Sequence, residues 1–133
     1  MSALPDAAAW RDAAARHGEL FQALEAGARI GLVARAGQPT MLLWEAGDAG
    51  VEARAAPFAG FGACGADILL SADAEALGRI GEAVSGDLFR VLRADIRGGS
   101  IVCYLLRRRC DLEARGFDEL LEALGFAFMG ACR

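Results

Sequence analysis

Apolar residues near the start of the chain recur with helical spacing. Trp10, Ala14, His17, Phe21 and Leu24 follow at steps of four, three, four and three, one stripe of an α-helix turned toward a core. Pro5 ahead of the stripe and Gly27 behind it suit the start and the stop of that helix. From residue 30 the period shortens. The runs Ile30 to Val33 and Met41 to Trp44 are separated by turn signals at Gly37-Gln38-Pro39 and Gly47-Asp48-Ala49-Gly50, and then Val51, Ala53 and Ala55 alternate with Glu52 and Arg54. The pattern predicts three short antiparallel strands, the third half-exposed. Ile68, Leu69 and Leu70 predict a fourth strand.

Ser71 is placed to cap the next helix, with Asp73 and Glu75 in its first turn and Leu77, Ile80 and Val84 as its buried stripe. The stretch "LFRVLRADIRGGSIVCYLLRRR" reads as a β-hairpin: Val91 alternates with charged neighbours, Gly98-Gly99 forms a tight turn, and Ile101 to Leu106 is a buried run. Phe117, Leu120, Leu121, Leu124 and Phe128 return to helical spacing, and Phe126 and Met129 widen that apolar face. The resulting order, α-β-β-β-β-α-β-β-α, predicts an α+β fold with an antiparallel five- to six-stranded sheet covered on one face by helices, in a single domain spanning residues 1–133.

Composition narrows the functional classes. All 14 basic residues are arginine, a usage that reflects nucleotide composition rather than function, and the net charge of −4 means that nucleic acid is not expected as a partner. Apolar residues make up 55% of the chain, a surplus that suits an apolar pocket or an interface. No run approaches the roughly 18 residues of a spanning helix, and no signal peptide opens the chain, so the expected location is cytoplasmic. Cys64, Cys103, Cys110 and Cys132 lack paired spacing and read as buried hydrophobes or free thiols.

The string "GFGACG" at residues 60–65 spells a dinucleotide fingerprint, and Glu82 and Asp87 lie at a suitable distance beyond it. A helix must follow such a loop, however, and "DILLS" predicts a strand. The glycines read as a flexible loop between two strands. His17, the lone histidine, has no nucleophile or carboxylate that the sequence ties to it. No catalytic residue, metal site or cofactor is expected.

The stretches "GADILLSADAEALGRI" and "LFRVLRADIRGGSIVCYLL" resemble the sterol carrier protein 2 domain family, through Ala66 and Asp67, Asp73 and Glu75, and Ile96, Gly98 and Gly99. The match in element order covers about residues 8–125. The resemblance implies a non-enzymatic carrier or accessory protein that holds a fatty acyl, sterol or quinone-like molecule between sheet and helices. Trp44, Phe58, Phe89, Phe117, Phe126, Phe128 and Met129, chosen for apolar bulk near the expected seam, are the candidate lining residues, with Arg93 or Arg107 facing a carboxylate head group. The chain is also similar to the class I type III secretion chaperones, which implies a homodimer or protein-interaction scaffold closed by "FDELLEALGFAFMGA". A third similarity, to roadblock-like partners of small GTPases, implies the same helix-on-sheet layering but with a helix where "ADILLS" stands.

Overall fold

The computed structural model describes residues 4–35 and 40–126. The stripe from Trp10 to Phe21 forms two helices, α1 (Ala7–Arg16) and α2 (Gly18–Phe21), because the backbone leaves the helical region at His17. Three strands follow as a meander, β1 (Arg29–Ala34), β2 (Thr40–Gly47) and β3 (Gly50–Pro57), as the alternation predicts. The fourth predicted strand is β4 (Ile68–Ala72), and β5 (Ile101–Leu105) completes a sheet of order β3-β2-β1-β4-β5.

The fold is α+β, but the sheet is mixed rather than wholly antiparallel, because β4 runs parallel to β1. A hairpin could only have extended the meander past β3. Instead the chain leaves β3 and crosses the helix-free face, where Phe58, Cys64 and Ala66 pack on Val33, Met41, Leu43 and Leu69. It re-enters beyond β1 in the same direction. The "GFGACG" string lies on this crossover as a short 3-10 turn (Phe61–Ala63) that leads into a strand.

The second correction is larger. The first arm of the expected hairpin is a helix, α4 (Leu88–Gly98). Apolar residues interspersed with Arg90, Arg93 and Arg97 mimic a half-exposed strand, yet Leu88, Phe89, Leu92 and Asp95 recur at helical steps and all are buried. Gly98-Gly99 is accordingly a helix end: Gly99 has φ +90°, the left-handed conformation that closes helices. The sheet therefore has five strands. Helix α3 (Ala74–Ala83) is capped by Asp73, whose Oδ1 accepts from the Ala76 amide at 2.8 Å; Ser71 belongs to β4. Two short helices end the described chain, α5 (Arg109–Ala114) and α6 (Asp118–Ala123).

The main core lies between the helices and the inner sheet face, where Ile30, Leu32, Leu42, Trp44, Ile68, Leu70 and Ile101 meet Trp10, Ile80, Leu92, Phe117 and Leu121. The α5–α6 corner docks through backbone as well as side chain: the Glu25 amide donates to the Arg115 carbonyl at 2.8 Å, and an Arg115 guanidinium nitrogen donates to the Glu25 carboxylate at 3.1 Å.

Candidate functional site

Aromatic rings fill the seam between sheet and helices. Trp10 and Trp44 stack with centroids 4.0 Å apart and planes 4° from parallel, and the Trp44 indole N–H donates to the Trp10 carbonyl at 2.6 Å. Phe21 meets Trp44 edge-on at 5.1 Å, and Phe89 lies 5.9 Å from Trp44 and 5.0 Å from the His17 ring. Tryptophan stacked this closely is core, because its whole face is already satisfied by another ring. The seam therefore holds packed side chains where the sequence reading expects a ligand.

The candidate lining residues consequently separate. Trp44, Phe89 and Phe117 belong to the core, and Phe126 is half-buried against it. Phe58 sits on the opposite face of the sheet with the crossover. Phe128 and Met129 lie outside the described residues. Of the two candidate head-group arginines, Arg107 is engaged by Asp67, while Arg93 shares a hollow on α4 with Phe89.

Asp67 organises one end of the sheet. Its side chain is 2% exposed, and it accepts from the Arg29 amide at 2.9 Å, from Arg107 Nε at 3.0 Å and from an Arg115 guanidinium nitrogen at 3.3 Å. One carboxylate thus joins the starts of β1 and β4 to the segments after β5 and α5. Replacing it with asparagine removes a charge-assisted acceptor and turns an amide N–H₂ toward cations. Asp67→Asn is expected to cost about 2 kcal/mol, read as a lower urea midpoint at unchanged slope; an unmoved midpoint would mean that the arginines are satisfied by water.

Beyond the strip that the crossover covers, the outer face of the sheet divides into a charged part and an apolar part. On β1 to β3, Glu45 lies between Arg54 and Arg29, and the hydrogen bond from Arg54, reinforced by Arg29, holds its carboxyl below the usual range. Toward β5 the face becomes apolar. Phe61 is 47% exposed and Val102 and Tyr104 are each 38% exposed. The rings connect, Phe58 to Phe61 at 5.8 Å and Phe61 to Tyr104 at 4.7 Å. Sequence reasoning missed Phe61, Val102 and Tyr104; the available signal was a final strand, "IVCYL", without a single charge.

The two sheet edges also differ. Edge strand β3 carries Glu52, Arg54 and Pro57, the protections that natural sheets place on an exposed edge. Edge strand β5 carries none of them. Its inward-facing Cys103 is inert, because burial pushes the thiol up to about 12.

Depressions also mark the described surface. A cleft of about 470 Å³ opens between α1, α2 and the β2–β3 turn, lined in part by Phe21, Leu24 and Val51 with Arg11, Asp48 and Glu52 at its sides. A shallow hollow of about 500 Å³ lies on α4. Among the described residues, no three His, Cys, Asp or Glu side chains gather as a metal site, and no helix is long and apolar enough to cross a membrane. Compared with known proteins, the chain matches no family model, no curated sequence and no solved structure.

Proposed function

We propose that the protein is a non-catalytic, cytoplasmic interaction module that docks an extended segment of another protein along β5. The observation that carries this reading is the aromatic patch of Phe61, Tyr104 and Phe58 beside an uncharged edge strand. Main-chain groups on such an edge supply affinity, and side chains on alternate positions supply selectivity. Val102 and Tyr104 point to the same face and offer that alternation.

Charge selects the occupant. Arg97 precedes β5 and Arg107, Arg108 and Arg109 follow it, so an antiparallel second copy of β5 would set basic ends against each other. A partner strand with an apolar core and acidic flanks avoids that penalty. The reading accords with the resemblance to secretion chaperones.

The test uses a nine-residue peptide with an alternating valine–threonine core and glutamate pairs at both ends. Hydrogen exchange of the β5 amides is expected to slow on adding it, and Tyr104→Arg is expected to abolish the effect without unfolding the protein. Unchanged exchange in the wild type would sink the reading. A concentration-dependent dimer dissolved by Tyr104→Arg would make the occupant a second copy.

A second reading, the apolar carrier implied by the resemblance to sterol carrier proteins, is favoured by the cleft over Phe21, Leu24 and Val51. Native mass spectrometry separates the two. A small-molecule adduct that disappears on denaturation supports the carrier, and a bare chain that still binds the peptide supports the interaction module.

A further inference from the structure

Helix α4 turns Leu88, Phe89 and Leu92 into the core and leaves Arg90, Arg93 and Arg97 exposed on its other side. Their spacing of three and four residues aligns them along one ridge over two helical turns, about 10 Å from first to last. All three line the same hollow of about 500 Å³, whose apolar part comes from Phe89, Ala94 and Ala123. None of the three makes a hydrogen bond or an ion pair among the described residues. The other arginines of the sheet and of α3 behave differently: Arg29 and Arg54 hold Glu45, Arg79 holds Asp95, and Arg107 holds Asp67. Among the described residues, Asp87 is the one acid on the rim of the hollow.

Three aligned guanidinium groups without carboxylates stand out on a chain of net charge −4. Their mutual repulsion is a standing cost to α4, because like charges at these spacings oppose a helix. We infer that this ridge is a docking surface for an acidic helical segment of a protein partner, sharing only Arg97 with the flanks of the β5 edge and independent of whether that edge is used. Three features select this occupant. The arginines are strung along a line rather than converging on one point, which matches carboxylates repeating on a helix better than it matches a single phosphate. The apolar hollow between them accepts an aliphatic side chain, which nucleic acid lacks. The acidic remainder of the surface repels an anionic membrane, whereas a narrow peptide meets only the ridge.

The experiment measures fluorescence anisotropy of a labelled twelve-residue peptide that repeats glutamate and leucine at helical spacing, titrated with the full-length protein. The comparison protein is the triple variant Arg90→Gln/Arg93→Gln/Arg97→Gln, whose changes lie on exposed helix positions and keep good helix formers. Binding to the wild type is expected to weaken as salt rises from 50 to 300 mM and to fall about tenfold in the triple variant, the sum of three exposed charge contacts. Tyr104→Arg is expected to leave this affinity unchanged, which separates the ridge from the β5 surface. Equal binding by the triple variant, or none by the wild type, overturns the proposal. Tighter binding to phosphatidylglycerol vesicles or to duplex DNA than to the peptide also overturns it and reassigns the ridge.

Discussion

Gly116→Ala, the addition of a single methyl group, is expected to destabilise the protein by about 3 kcal/mol, from a left-handed backbone worth about 1 and an overpacked contact worth the rest. Gly116 has φ +86° and forms the corner between α5 and α6. A Cβ there would overlap the Ala23 carbonyl oxygen and stand 2.6 Å from its carbon. Both are backbone atoms pinned by the adjacent bond from Glu25 to Arg115, so no side chain can swing aside. Thermal and urea unfolding read the loss. A Gly116→Ala protein as stable as the wild type would mean that the α5–α6 corner does not dock where the structure puts it.

Trp44→Ala is expected to cost about 4 kcal/mol, the usual scale for truncating a buried tryptophan. The variant forfeits the stack on Trp10, the edge contact with Phe21 and the indole bond to the Trp10 carbonyl together. The outcome also separates two readings of the seam. A residue lining an empty pocket tolerates truncation and loses ligand, whereas a residue inside a closed ring cluster takes the fold with it. A loss below about 1 kcal/mol would place Trp44 at a cavity wall and revive the seam as a binding site.

How much of this was legible in the sequence depends on how local each signal is. Strands β1 to β4 follow from short apolar runs between turn residues, a signal carried within a few positions. The parallel pairing of β1 with β4 has no such local mark, because only the burial of Val33, Met41, Leu43 and Leu69 beneath the crossover decides it. Helix α4 was misread for a different reason. Arginines at 90, 93 and 97 are scattered among Val91, Leu92 and Ile96 as on a half-exposed strand yet keep helical spacing, and the buried Asp95, paired with Arg79, interrupts the apolar stripe that would have decided between the two.

The candidate site was least legible. Apolar bulk marks Trp44, Phe89 and Phe117 equally well as lining or as core, and closeness to other rings makes them core. Phe61, in a glycine-rich loop, and Tyr104, in a run read as buried, become a surface only when the crossover lays one beside the other. Sequence distance hides such a meeting, since the two stand at opposite ends of separate segments.

The crossover also sets an order on how the molecule can assemble. Strands β1 to β3 join through near neighbours, so their meander closes small loops. Joining β4 to β1 brings together Arg29 and Asp67, 38 residues apart, and the entropy of closing that loop must be met before the contact rewards it. The meander is thus the natural early unit, and the β4–β5 half is added to it late. Until then Met41, Leu43 and Val33 face water as a ready-made sticky strip, and the nascent chain passes through its most aggregation-prone moment just before the crossover shuts over them.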